Sequence, residues 1–266
     1  MKYIIMNLKT IYFLLFCSLS LSITKAQTLL EENPLKLYRK WSIVAGPVIY
    51  NKAKITPQYG EHSFVNKPIP GYYAGVEYDF LNLKKWTLTT GFLWSPEPVY
   101  NLEYVLKKED IYCNYDLYDY TRGYAMLSFS FPLYVKRNIE ISRHFYVQPF
   151  TGFKFKYFPS GSAEMSVAVV NEDHTESREV FGLRAESPDN SMQCAYVICI
   201  GGSYLMKKAL IKANLVYSMN FQTLMSGEYL FDNLLVSPRS RGYYELSGNY
   251  IGLLFSVNLK KGRLRN

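Results

Sequence analysis

The chain contains 266 residues, of which 20% are charged and 17% are aromatic, with 25 tyrosines but only 3 tryptophans. This balance excludes an intrinsically disordered protein and a coiled coil, because both classes are poor in aromatic residues. Beyond residue 26, no apolar run approaches the roughly 20 residues that a membrane-spanning helix requires, which excludes a polytopic helical membrane protein. The composition predicts an aromatic-rich β protein.

Residues 1–26 have the organisation of a cleavable export signal. Lys2 and Lys9 form a basic start, an apolar core runs from Thr10 to Ile23, and the small residue Ala26 stands at a cleavage position. We therefore expect a signal peptide at 1–26, a periplasmic N-terminal segment at 27–40, a β-barrel at 41–259 and a basic C-terminal tail at 260–266.

The mature chain is expected to be modestly basic. Three of the 30 basic residues fall within the signal, so 27 remain against 22 acidic residues. The basic residues are scattered over predicted loops and the C-terminal tail, and they form no cluster interleaved with aromatic residues. No nucleic-acid partner is therefore expected. Cys194 and Cys199 are five residues apart in a predicted strand and face opposite sides, and no disulfide framework, metal site or cofactor is expected.

Apolar residues recur at every second position along most of the mature chain, which indicates strands rather than helices. The clearest case is 209–222, where Ile211 and Leu215 share an apolar face while Lys212 and Asn214 share a polar one. Eight segments show this alternation and are predicted strands: 41–50, 71–80, 86–95, 123–135, 145–157, 191–206, 209–222 and 250–259.

The connections between these strands alternate between long and short. The long ones span 51–70, 96–122, 159–190 and 223–249, and the short ones span 81–85, 136–144 and 207–208. This alternation is typical of outer-membrane proteins, whose short turns face the periplasm and whose long loops face outward. The sequence predicts an all-β, eight-stranded antiparallel up-and-down transmembrane β-barrel in the outer membrane. A soluble exported lipocalin-like barrel is the alternative.

Aromatic residues on the apolar faces fit two interfacial girdles. The eight-residue step from Trp86 to Trp94 rises roughly 21 Å at about 3.4 Å per residue and a tilt near 40°, close to the height of the apolar band. Period-two aromatic residues also occur in ordinary cores, so their shared face across strands carries the argument. The predicted interfacial aromatic residues are Trp41, Tyr78, Trp86, Trp94, Tyr217 and Phe221.

These features together resemble a known family. The export signal, the eight strands, the segment Leu127–Lys136 before a short turn and the closing segment Tyr250–Leu259 are similar to the PorT-like group of small outer-membrane β-barrels. The resemblance covers roughly Trp41 to Lys261. It implies an eight-stranded outer-membrane barrel with a link to protein secretion.

A barrel of eight strands has room only for its own side chains, so an open porin is not expected. Charges inside must be paired. Glu77 and Lys212 fall at similar depths above the periplasmic rim, and we expect them to form a lumenal ion pair. Gln148, Lys154, Asn214 and Asn258 complete the predicted lumenal network. A proton or ion path is the functional alternative to a structural polar plug.

The sequence assigns no catalytic residue. His62, His144 and His174 are its only imidazole bases, and none has a nucleophile at a fixed strand spacing.

The acidic segment 171–176 lacks the pattern of a calcium loop and is interpreted as a solvated loop. Arg239 and Arg241 are predicted lipopolysaccharide contacts.

The expected partners are outer-membrane lipid, lipopolysaccharide and another envelope protein. The predicted role is structural or protein-interacting, as an accessory of a secretion or envelope complex. A lipid-modifying outer-membrane enzyme is the alternative.

Overall fold

The computed structural model describes residues 34–62, 64–83, 85–111, 113–158, 160–171, 176–188 and 192–261. The predicted signal peptide, His174 and the end of the basic tail lie outside these residues. After a short 3-10 helix (Pro34–Leu37), the described chain forms sixteen strands: β1 (Trp41–Tyr50), β2 (Lys54–Tyr59), β3 (Val65–Asn66), β4 (Ile69–Asn82), β5 (Trp86–Leu106), β6 (Leu117–Arg137), β7 (Ile139–Ser142), β8 (Phe145–Val147), β9 (Phe150–Tyr157), β10 (Ser162–Val170), β11 (Ser177–Glu186), β12 (Met192–Leu205), β13 (Ala209–Asn220), β14 (Met225–Phe231), β15 (Ser240–Leu246) and β16 (Tyr250–Leu259). No helix among the described residues is long and apolar enough to cross a membrane.

Eight of the strands close into a barrel. Each pairs antiparallel with its neighbours in the order β1, β4, β5, β6, β9, β12, β13 and β16, and β16 returns to pair with β1. The short strand β8 precedes β9 and also pairs with β12. These strands overlap the eight predicted segments, so the predicted antiparallel barrel is confirmed.

The two faces of the barrel wall have opposite polarity. On β13, Leu215 and Tyr217 are 48% and 42% exposed on the outside, whereas Lys212 and Ser218 are buried inside. The other barrel strands repeat this arrangement, so large apolar side chains cover the exterior and most of the buried polar residues face the lumen. A water-soluble barrel would have the reverse polarity, and the lipocalin-like alternative is wrong. The chain is an outer-membrane β-barrel whose apolar exterior faces lipid.

The sequence predicted that the long connections are loops. The structure instead places most of the remaining β structure in them. Strands β5 and β6 are 21 residues long each and stay paired beyond the barrel, up to Leu106 and Leu117. Beyond the barrel, a second sheet of five strands has the order β10, β11, β14, β15 and β2. The outer region is therefore a folded structure in its own right.

An apolar core lies beneath the second sheet. Phe181 of β11 packs against Phe231 of β14 with ring centroids 4.6 Å apart, and Tyr104 of β5 approaches Phe181 at 5.2 Å. Tyr244 of β15 donates a hydrogen bond of 2.5 Å to the carbonyl oxygen of Val99. The same apolar cluster continues down to lumenal residues such as Tyr73, so the outer end of the barrel is packed.

The outward face of the barrel can be tested by cysteine labelling. Leu215 and Leu253 are paired on neighbouring strands and point outward. After replacement of the native cysteines by serine, Leu215→Cys and Leu253→Cys should resist water-soluble maleimides in intact membranes, and a fluorophore placed there should be quenched by lipid-borne nitroxides. Ser226→Cys, exposed on β14, is the control that should label rapidly. Rapid aqueous labelling at both leucine positions would contradict the membrane-facing assignment.

Candidate functional site

The periplasmic half of the lumen contains two ion pairs side by side. Glu77 and Asp79, two residues apart on β4, both point inward. Lys136 of β6 lies 2.8 Å from Glu77, and Lys212 of β13 lies 3.1 Å from Asp79. Thr89 also donates a hydrogen bond of 2.6 Å to Asp79. All four charged side chains are buried, so each charge has a partner where water is excluded.

The predicted pairing of Glu77 with Lys212 is therefore wrong, although both residues are in the lumen. The error comes from the end of one strand. The sequence pattern ended the strand at Val135 and placed Lys136 in a periplasmic turn, whereas β6 continues to Arg137 and turns Lys136 into the lumen. Lys136 therefore pairs with Glu77, and Lys212 pairs with the neighbouring Asp79.

The other predicted members of the network are inward-facing and buried. Gln148 donates a hydrogen bond of 2.6 Å to Asn138, which in turn donates to Thr87 at 3.0 Å. Asn258 of β16 donates to the backbone carbonyl oxygens of Arg39 and Trp41 at 3.1 and 3.2 Å. Asn214 is 5% exposed on the inner face of β13.

A second buried polar cluster lies further toward the outer end, centred on Glu97. Lys156 of β9 lies 2.9 Å from this carboxylate. Ser95 donates a hydrogen bond of 3.1 Å to Glu97, and Ser128 of β6 donates a second, shorter one. Glu97 and Lys156 are 0% and 1% exposed. Sequence reasoning missed this pair because Glu97 fell in a segment predicted to be an outer loop.

Lys154 has a different environment from the three paired lysines. It donates hydrogen bonds of 3.0 Å to the hydroxyls of Tyr73 and Tyr250, and its Nζ lies 4.5 Å from both ring centroids. Two aromatic faces and two hydroxyl oxygens therefore surround Nζ in place of a carboxylate. Among the described lumenal residues, four lysines accompany three carboxylates.

These contacts make the lumen a polar plug. The four lumenal lysines are each at most 2% exposed, so their side chains are almost completely shielded from solvent. An eight-stranded barrel has an interior just wide enough for side chains to fill.

The predicted interfacial aromatic residues lie near both ends of the barrel exterior. Trp41 and Tyr78, paired across β1 and β4, have ring centroids 4.5 Å apart at the periplasmic end. The guanidinium of Arg137 lies 5.7 Å from the ring centroid of Trp86. Tyr217 lies in the outer half of β13, Phe221 follows the end of that strand and is 58% exposed, and Trp94 lies eight residues beyond the periplasmic start of β5. The interfacial role of these residues stays a prediction.

Two of the three histidines lie within the described residues. His144 is in the turn between β7 and β8, and its ring centroid lies 6.4 Å from that of Tyr204. His62 places Nε2 3.3 Å from a carboxylate oxygen of Asp110, while Nδ1 is buried without a hydrogen-bond partner among the described residues. No described hydroxyl is thus bonded to this imidazole as a nucleophile would be.

Asp110 joins several outer segments at one carboxylate. Its carboxylate accepts a hydrogen bond of 2.8 Å from the backbone amide of Ser237, and it contacts His62. Burial raises the pKa of Asp110, but the Ser237 hydrogen bonds and the charge of His62 outweigh burial and hold this pKa below its usual value. The carboxylate form therefore stabilises the folded outer region.

The stability of this junction should depend on acid pH. A carboxyl whose pKa is lowered by folding contributes stability above its unfolded pKa of about 3.9, and this contribution is lost as the pH falls through the folded value. We expect hydrogen exchange at the Ser237 amide, corrected for intrinsic rates, to accelerate below about pH 4. Asp110→Ala should show fast exchange at neutral pH already. Equal exchange in the two proteins at pH 7 would contradict the role of Asp110.

The two arginines predicted to contact lipopolysaccharide have carboxylate partners. Arg239 lies 3.1 Å from Asp232, and Arg241 bonds to Glu228. A phosphate would have to compete with these carboxylates for the guanidinium groups. Lipopolysaccharide binding stays a prediction.

Comparison with known proteins gives similarity at the level of structure only. No family model matches the chain. No curated protein matches its sequence. The outer membrane protein OprG from Pseudomonas aeruginosa aligns over 85% of this chain and 98% of its own, at 9% identity and a TM-score of 0.40.

Two further structures give comparable values. A major outer membrane protein from Thermus thermophilus aligns over 82% of this chain and 98% of its own, at 12% identity and a TM-score of 0.36. The outer membrane protease OmpT from Escherichia coli aligns over 88% and 99%, at 9% identity and a TM-score of 0.34. Identities this low assign no activity to this chain.

Proposed function

We propose that this protein is a non-conducting outer-membrane barrel with a structural or protein-interaction role, as an accessory of an envelope or secretion complex. The observation that carries the proposal is the filled lumen. Three buried ion pairs occupy it, and an apolar core packs its outer end. A barrel closed in this way contributes through its surfaces and not through transport.

The outer sheet supplies one such surface. Its outward face carries a cross-strand row in which Glu164, Arg184 and Glu228 stand side by side on β10, β11 and β14. Arg184 is exposed and lies 3.3 Å from Glu164. A surface built on paired strands loses less conformational entropy on binding than flexible loops do. Tight contact with a partner protein is therefore favoured.

The proposal can be tested by native electrophoresis of outer membranes that have been gently solubilised. The tagged chain is expected to migrate in an assembly larger than a single copy in detergent. Arg184→Glu combined with Glu228→Lys should release it, while Lys107→Glu, away from the sheet face, serves as a charge-changing control. A chain that migrates as a single copy in mild detergent, and also after cross-linking in whole cells, would contradict an interaction role.

A further inference from the structure

The fold gathers positive charge at the periplasmic end of the barrel, although the sequence suggested a scattered excess. The N-terminal segment, the three periplasmic turns and the end of β16 all meet there. Within the described residues, Glu140 is the single exposed acidic residue on this rim. Ten exposed basic residues surround it: Lys36, Arg39, Lys40, Lys85, Arg137, Arg143, Lys207, Lys208, Lys260 and Lys261. The outer segments, in contrast, mix both signs.

Part of this charge lines a cleft in the mouth of the barrel. Lys36, Arg39 and Lys261 border the cleft, and the buried Lys212 forms part of its lining. The one acidic residue that lines it, Asp79, is already bonded to Lys212. The cleft therefore presents cationic groups that no carboxylate among its described lining residues neutralises.

The cationic side chains are held on an ordered frame. Leu35 and Tyr38 pack into a buried apolar cluster with residues of β8, β12 and β13. The hydroxyl of Tyr38 donates a hydrogen bond of 2.8 Å to the carbonyl oxygen of Met206. Backbone hydrogen bonds join Arg39 to Leu259 and Lys261 to Leu37, so the N-terminal and C-terminal segments are fixed to each other.

We propose that this basic mouth binds an acidic polypeptide segment of a periplasmic protein. This inference rests on the proposed interaction role and names the face and the chemistry of one partner. A broad arrangement of like charges from five chain segments is complementary to a polyanion and not to one small anion. Lipid phosphates lie outside the barrel wall, whereas the cleft that Lys36, Arg39 and Lys261 border is also lined by the inward-facing Asp79 and Lys212, so lipid does not explain these three basic residues.

The test uses the full barrel in nanodiscs of phosphatidylcholine, which leave both faces open to solution. Fluorescent poly-L-glutamate is the probe, and anisotropy reports binding. Wild type should bind, and binding should weaken as salt is raised. The triple variant Lys36→Gln, Arg39→Gln, Lys261→Gln should lose at least about tenfold in affinity, because each basic residue near an anionic surface contributes about 1 kcal/mol.

The matched control removes the same charge from the outer side. Lys52→Gln, Lys107→Gln, Lys108→Gln should bind like wild type, and equal loss in both triple variants would show that only net charge matters. The mutated side chains are exposed, and the heat-modified gel shift of the folded barrel checks each variant.

Two further outcomes would overturn the inference. One is absence of poly-L-glutamate binding by wild type. The other is a mouth variant that keeps its affinity for the probe but, when it is extracted from membranes that contain phosphatidylglycerol, retains less of this lipid than wild type in native mass spectrometry, which would make the basic rim a lipid-binding site. A native assembly without probe binding overturns this inference alone. Probe binding by a chain that migrates as a single copy in native membranes overturns the proposed interaction role.

Discussion

Glu97→Gln is expected to lower the free energy of unfolding by about 3–5 kcal/mol, because it leaves Lys156 buried without its countercharge. Lys156→Met should be similarly costly, since it leaves the carboxylate unpaired. The double variant should recover much of the loss, because two uncharged groups need no ionic partner. Urea titration in lipid vesicles, followed by tryptophan fluorescence, measures all three values.

The matched control for this cycle combines Glu97→Gln with Lys212→Met. Lys212 belongs to the other ion-pair cluster and bonds to Asp79, so these two effects should add within about 0.5 kcal/mol. Strict additivity for Glu97 and Lys156 as well would mean that the upper ion pair does not form.

Leu215→Arg is expected to destabilise the inserted barrel by about 2–4 kcal/mol, because it places a charge against lipid near the bilayer midplane. Ala209→Arg, at the periplasmic end of the same strand, is the control and should cost about 0–1 kcal/mol. Refolding into vesicles with urea titration gives both values. Equal costs at the two depths would contradict the assigned position of β13 in the bilayer.

The barrel was predictable from sequence because a lipid-facing wall imposes period-two alternation on all eight strands at once. In β13, a shift of the register by one residue would turn the apolar side chains into the polar lumen and the polar ones toward lipid, so the register is fixed. The prediction of strands from a lipid-facing apolar side fails for the segments outside the membrane, because no lipid surrounds them. In the outer region the apolar side chains must point inward, toward the core of the folded extension.

Strand β5 shows where the alternation changes. Below Pro96, inward positions are odd-numbered, as at Thr89 and Ser95, whereas in the upper part Leu102 and Tyr104 are buried at even-numbered positions. Register shifts between Pro96 and Tyr100 produce this change of phase, as β-bulges do. The sequence prediction ends the strand at Ser95, before Pro96, and so it assigns Glu97 to a loop and misses the continuation of β5.

The lumenal residues could be assigned to the inside of the barrel, but their partners could not. A sequence pattern gives the face and approximate depth of a side chain, so Glu77 and Lys212 were placed inside. It does not give which side chains meet across a narrow lumen, because that depends on strand ends and on competition between neighbours. Asp79 and Lys136 are the actual partners of Lys212 and Glu77, and neither was predicted as a member of the lumenal network.

Recording of ion currents across planar lipid bilayers tests the filled lumen most directly. Refolded wild type, with insertion verified by protease protection of the barrel, should give no discrete current steps above those of protein-free membranes across a range of voltages. Stable, reproducible current steps from the wild-type protein would contradict a lumen closed by its own ion pairs and outer core.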